Sequence, residues 1–270
     1  RGPSGSCSGT CWAPRRRPGS SRVSAAPVAG GGEDSTPERR DRPFADLLAE
    51  RLFPPLASGV RWGLERTAGA LAALGDPHRR YPAIHVGGTN GKGSVTTTLA
   101  AVLQEAGLRA ACYTSPHLCS IRERIVVDGE AIGEEALLER AAEVTGVVER
   151  FGLTFFEAAT VLGFHAFARA EVDVAVIEVG LGGRLDATNV LRPLVSAVTN
   201  VQMDHADYLG DTLAKIAVEK AGIVKPGVPF VLGETDPALV EVFRRAAAAA
   251  GAPFHPVDAT VRLQDVADVE

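Results

Sequence analysis

From about residue 43 onward, two apolar patterns alternate along the chain. Near-continuous apolar runs at 82–87, 109–114, 172–179, 194–200, 228–232 and 253–257 read as strands. Segments with apolar residues at helical spacing separate them, at 92–106, 134–150, 157–170, 211–222 and 236–250. Phe44 to Leu74 also holds helical segments, broken by Pro54-Pro55. Asp128-Gly129 marks a hairpin-like turn. The run Val172 to Val179 is almost uniformly apolar, as in a parallel strand covered on both faces. Strands alternating with helices predict an α/β fold, an open and mostly parallel sheet flanked by helices. In the helix at 92–106, the stripe Val95, Leu99, Val102, Leu103 and Ala106 is expected to face the sheet, with Gly107 as C-cap. No internal repeat is visible.

Composition narrows the class. A length of 270 residues with 46% hydrophobic content suits one large α/β domain. A formal net charge of -5 gives no support for nucleic acid as a partner. No apolar run approaches the roughly 20 residues of a membrane span. Residues 1–32 hold five arginines and no acid, so the rest of the chain carries about ten net negative charges. This head is rich in Gly, Ser, Pro and Arg without periodicity, and 1–42 is expected to be a disordered or non-native extension. An organellar transit peptide or a translated upstream region are alternatives, the only methionine being Met203. Cys7 and Cys11 are too isolated for a metal cage, and Cys112 sits in an apolar segment as a small core residue. With Cys119 these make no disulfide framework, so a cytoplasmic location is expected.

Chemistry concentrates where strands end. Thr89-Asn90-Gly91-Lys92-Gly93-Ser94 lies between the first strand and a helix. Glycines there let the backbone approach an anion, helix N–H groups point at it, and the lysine adds a mobile positive charge. The strict phosphate-loop pattern would need Gly where Val86 stands and Ser or Thr where Gly93 stands, so this is a variant. The plain alternative is an ordinary glycine-rich turn. ATP is the expected ligand.

Open parallel sheets bind ligands beyond the carboxyl ends of their strands. Glu178 lies at such an end, in a run where a carboxylate is costly to bury without a partner. A magnesium ion beside nucleotide phosphates would supply one, and an arginine or solvent is the alternative. Asp204 and His205 follow the strand at 194–200, which makes His205 a possible metal ligand. On the helix at 211–222, Lys220 falls on the apolar stripe Leu213, Ile216, Ala217, Ala221, while Lys215 and Glu219 form an i,i+4 pair on another face. A covered lysine is driven toward its neutral form, which can take up carbon dioxide as a metal-binding carbamate. The alternative is a lysine that snorkels to the edge.

Taken together, Gly88 to Ser94, Thr114-Ser115-Pro116-His117-Leu118, Leu153 to Glu157, Glu178 to Asn189, Asp204-His205, Leu209 to Thr212 and Glu219 to Ile223 resemble the folylpolyglutamate synthase family of Mur-ligase-like ATP-dependent amide ligases. The likeness spans roughly 43–260, and Arg184 to Asn189 resembles the bacterial enzymes that are also dihydrofolate synthases. It implies a P-loop, Mur-ligase central-domain fold and an ATP-dependent ligase. Such an enzyme adds L-glutamate to dihydropteroate and to reduced folates through an acyl phosphate. By the same resemblance, Thr89, Asn90, Gly91, Lys92, Gly93 and Ser94 bind ATP, Ser115, Glu178 and His205 hold magnesium, and carbamylated Lys220 helps hold a second metal. Lys92, Glu178, His205 and Lys220 are the catalytic set. Thr154, Phe155, Phe156, Glu157, Leu185, Asp186 and Ala187 form the pterin pocket, with Phe155 or Phe156 stacking on the ring and Asp186 accepting from its N–H groups. The family's C-terminal, glutamate-binding α/β domain has no counterpart here, so 43–270 is expected to be an incomplete ATP-binding domain. A monomer is expected. The alternatives are a catalytically inert nucleotide-binding module and a Mur-type cell-wall peptide ligase.

Overall fold

The computed structural model describes residues 61–260, and the expectations for 1–60 lie outside the described residues. A helix α1 (Glu65–Ala73) precedes β1 (Ala83–Gly87), α2 (Lys92–Glu105), β2 (Ala110–Tyr113), β3 (Ile125–Val127) and β4 (Glu130–Ala131). Then come α3 (Glu134–Phe151), α4 (Phe155–Arg169), β5 (Val174–Glu178), β6 (Val195–Val198) and the short α5 (Ala206–Leu209). The described chain ends with α6 (Leu213–Ala221), β7 (Phe230–Leu232), α7 (Pro237–Ala249), β8 (Phe254–Pro256) and α8 (Val257–Thr260).

The strands form one sheet in the order β4-β3-β2-β5-β1-β6-β7-β8. β2, β5, β1, β6, β7 and β8 are parallel, while β3 and β4 add an antiparallel hairpin at one edge. The fold class expected from the alternating pattern is therefore the one observed. Strand order reverses about β1: β2 and β5 lie to one side, and β6 to β8 to the other. That reversal opens a crevice at the carboxyl end of β1.

Two apolar cores hold the helices to the sheet. Leu71, Tyr113, Leu162, Phe164, Phe167 and Ile177 belong to the first, which joins α1, α3 and α4 to the strands. Val198, Ile216, Phe230, Leu232 and Phe243 belong to the second, under α6 and α7. Phe230 stacks on Phe243 at 5.8 Å between ring centres. Burying each such side chain contributes about 1.5–3 kcal/mol before entropy is subtracted. Cys112 is buried as expected, and burial, helped by the nearby Glu178 charge, pushes its thiol up to about 12. Among the described residues no helix is long and apolar enough to cross a membrane.

Two side-chain expectations hold only in part. On α2 Thr96 is buried and Val95, Leu99 and Leu103 are half-buried, but Val102 is 59% exposed and Ala106, just past the helix, is exposed. Gly93, in its first turn, faces the Glu178 carboxylate, and a Cβ there would meet it at ordinary contact distance. On α6, Leu213 is exposed, and Lys215 and Glu219 do not pair with each other. Lys215 meets Asp211 at 2.7 Å and Glu219 meets Arg184 at 2.8 Å. Asp211 stands one helical turn before Lys215, just ahead of α6, and Arg184 comes from a segment distant in the chain.

Candidate active site

The chain leaves β1 through Gly88 (φ 136°) and Gly91 (φ 76°) and enters α2 at Lys92. Gly88 is required twice over: φ is positive, and a Cβ would run into the Thr199 hydroxyl. The segment after β6 braces the turn. Thr199 Oγ1 donates to Asn90 O at 2.6 Å, and the Asn90 N–H donates to Asn200 Oδ1 at 2.9 Å. Asn90 Nδ2 donates to Gln202 Oε1 at 2.8 Å, and the Gln202 N–H donates to Thr89 Oγ1 at 3.0 Å. The ladder of α2 opens with the Val95 N–H on Gly91 O, and no side chain caps the helix. The N–H groups of Lys92, Gly93 and Ser94 thus have no intrahelical acceptor, the arrangement that receives an anion. Lys92 Nζ folds back to donate to Thr89 O at 3.0 Å.

Glu178, the last residue of β5, is 4% exposed and faces this helix start. A Cβ placed on Gly93 would stand 3.5 Å from its Oε2, so glycine leaves the space between turn and carboxylate open. The Ser115 N–H donates to Oε2 at 3.0 Å. Burial raises the Glu178 carboxyl above its ordinary value, opposed by the Ser115 N–H and the charges of Lys92 and Arg124. From the other side, Lys220 of α6, 3% exposed, donates Nζ to Gly88 O at 2.7 Å. Burial, then the Lys92 charge, lowers its pKa to about 8, against the pull of Asp204. The buried reading of Lys220 therefore holds over snorkelling.

A cavity of 270 Å³ adjoins this crevice. Ser115 and His205 line it together with Thr154, Phe156, Glu157, Leu185, Asp186 and Ala187. Ser115 thus touches both the carboxylate at the strand end and the cavity wall. His205 stands in the left-handed region (φ 48°), exposed, with Nε2 3.5 Å from Asp204 Oδ1. Phe156 is an aromatic wall, packed so closely on Gly180 that no side chain could stand there. Phe155 does not line the cavity, a correction to the expected pair. Successive residues of a helix point about 100° apart, so only one of the two faces inward. The Phe155 ring instead lies 5.6 Å beneath the Arg124 guanidinium.

Asp186 is buried. Its Oδ2 accepts from the Leu181 N–H at 2.8 Å, and its Oδ1 from the Thr188 N–H at 3.0 Å and the Thr188 hydroxyl. Burial raises its carboxyl, and the bonds from Thr188, Leu181 and Gly180 oppose that. Thr154 and Glu157 also form the reciprocal cap of α4, and Glu157 pairs with Arg66 at 2.8 Å. These two pocket residues therefore carry a structural duty as well.

Some residues at the site carried no sequence signal. Arg124, 6% exposed, lines the cavity, with Nε on His117 Nδ1 at 2.8 Å and Nη1 buried without a partner. Arg61 and Trp62 line it as well. An arginine in the polar stretch Ile121 to Arg124 reads as exposed. Thr199, Asn200 and Gln202 are polar residues past a strand end, a signal that could have been taken. Among the described residues no three His, Cys, Asp or Glu side chains gather as a metal cluster.

An open α/β sheet with a glycine-rich anion cradle at its switch point, facing a buried carboxylate, defines the P-loop class of domain. The Mur ligase middle domain family matches residues 86–255, and the chain belongs to that family. The Lacticaseibacillus casei folylpolyglutamate synthase is 44% identical over 191 residues, covering 68% of this chain and 45% of that protein. The Bacillus subtilis dihydrofolate synthase/folylpolyglutamate synthase is 40% identical over 220 residues, 78% of this chain and 51% of that protein. A solved structure described as an FPGS–AMPPCP–folate complex superposes with a TM-score of 0.73 at 40% identity, covering 77% of this chain and 53% of that one. The chain spans about half the length of the curated relatives it matches.

Proposed function

We propose that this chain supplies the ATP and pterin sites of a ligase that joins L-glutamate to dihydropteroate and to reduced folates through an acyl phosphate. The observation that carries the reading is Ser115, whose backbone meets Glu178 beside the anion cradle while the residue lines the cavity walled by Phe156 and Asp186. A triphosphate on the turn and a flat substrate in the cavity would then meet at one place. A carboxylate is a poor electrophile until its oxygen becomes a good leaving group. Phosphorylation by the γ-phosphate of ATP does this, and the glutamate amine displaces phosphate. The work left to the protein is positioning and charge neutralisation.

In this reading, the N–H groups of Lys92 to Ser94 hold phosphate oxygens, and the Lys92 ammonium swings from Thr89 O to offset charge on the transferring group. Phe156 offers a ring face to the pterin, and Asp186 accepts from its N–H donors. Thr154, Leu185 and Ala187 shape the walls. The site suits magnesium: a buried carboxylate, its charged form disfavoured by burial, faces an opening kept clear by glycine, and hard cations take oxygen ligands. Glu178, Ser115 and His205 would hold it, a Lys220 carbamate would help hold a second metal, and these ions would neutralise phosphate charge. The carbamate forms when the neutral Lys220 amine attacks carbon dioxide and loses a proton, a step favoured by its lowered pKa. The names of the relatives and the AMPPCP and folate of the solved complex support this reading over a cell-wall ligase.

The test is incubation with ATP, dihydropteroate and L-glutamate. Release of ADP that requires both dihydropteroate and L-glutamate supports the ligase. Nucleotide binding without pterin binding leaves a bare nucleotide module, and binding of a UDP-muramyl peptide in place of pterin restores the cell-wall reading.

A further inference from the structure

His85 stands in the middle of β1, paired in register with Ile177 of β5 and Ser196 of β6, and is fully buried. A β-branched apolar residue would fill such a position with no polar atoms to satisfy. The imidazole instead reaches Thr188 Oγ1 with Nε2 at 2.8 Å, and Thr188 Oγ1 bonds to Asp186 Oδ1. The direction of this chain follows from its end. An ionised carboxylate only accepts, so the threonine hydroxyl donates to Asp186. Its oxygen must then accept from the ring, which places the proton on Nε2 and leaves Nδ1 bare. Nδ1 is indeed buried with no partner. Burial and the nearby Lys225 charge keep the ring neutral, with a pKa of about 3, consistent with one fixed tautomer.

We infer that His85 is a positioning residue for the pterin pocket: through the Thr188 hydroxyl it locks the Asp186 carboxylate in the orientation that meets the N–H donors of a flat heterocycle. The inference rests on the pocket reading given above. Oδ1 accepts from both groups of Thr188, Oδ2 accepts from the Leu181 N–H, and the Gly180 backbone also bonds to the carboxylate. Without the ring, the threonine hydroxyl loses the donor that fixes its rotation and can turn away from Asp186. The ligand contact then weakens although no contacting residue has changed.

The test compares wild type with His85→Phe, which fills the space without a donor, and His85→Gln, which keeps an N–H near Nε2. Fluorescence titration with dihydropteroate and with AMPPCP on the same preparations reads the two sites separately. His85→Phe is expected to bind pterin about tenfold more weakly, with nucleotide affinity changed less than about twofold, and His85→Gln to restore most of the loss. Pterin affinity equal to wild type in His85→Phe overturns the inference, as does equal weakening of both ligands in step with lost stability. A wild-type chain that binds AMPPCP but not pterin removes the pocket reading itself. Nitrogen NMR of the wild-type chain then judges the relay: a ring protonated on Nδ1 sinks it, and a neutral ring protonated on Nε2 that responds to Thr188→Val supports it.

Discussion

At Lys220, position and charge oppose each other most. Its ammonium is almost wholly buried, and its pKa falls from 10.5 to about 8. Between those values the unfolded chain binds the proton more readily than the folded one. The cost to stability is therefore complete below about pH 8, shrinks as pH rises toward 10.5, and vanishes above it. Lys220→Met is expected to raise unfolding free energy by about 2 kcal/mol at pH 7, after loss of the bond to Gly88 O, and to give no gain near pH 11. Urea denaturation at the two pH values measures this. Gly88→Ala is expected to cost about 2 kcal/mol through its positive φ, more if Thr199 cannot shift, and to abolish AMPPCP binding. Both residues were legible in the chain, one as a lysine on an apolar stripe and the other as a glycine at a strand-to-helix junction. Arg124 was not, because its burial depends on Tyr113 and Phe155, which belong to other elements.

Among the elements, α4 shows how one short signal serves two ends. The Thr154 hydroxyl accepts from the Glu157 N–H, and the Glu157 carboxylate accepts from the Thr154 N–H at 2.8 Å. Thr154→Ala is expected to destabilise the chain by about 1 kcal/mol, with Thr154→Ser close to wild type, as read by chemical denaturation. The periodicity that located α2 oriented it only in part. Val95, Leu99 and Leu103 are half-buried, whereas Val102, from the same expected stripe, is exposed. For α6 the periodicity oriented most of the helix correctly, since Ile216, Ala217 and Lys220 are all buried.

For the whole molecule, the sheet links two cores, and substitution in either should be felt throughout. Phe243→Ala, in the core under α6 and α7, is expected to cost about 3–5 kcal/mol in denaturant titrations. If the cradle binds nucleotide, AMPPCP at about 100 times its dissociation constant should add roughly 2.7 kcal/mol to stability. Lys92→Ala should lose most of that gain, and an unchanged thermal shift in this variant would count against the phosphate assignment.

Strand and helix positions, the anion cradle and the suspect lysine were all legible in the order of residues. Each depends on neighbours within a turn or two: the spacing of apolar side chains and the placing of glycine. The strand order, the choice of Phe156 over Phe155 and the burial of Arg124 emerged only from the folded arrangement, because they depend on groups far apart along the chain. Ser115 and Glu178 are 63 residues apart and Gly88 and Lys220 are 132 apart, yet each pair is joined by a single hydrogen bond at the carboxyl edge of the sheet.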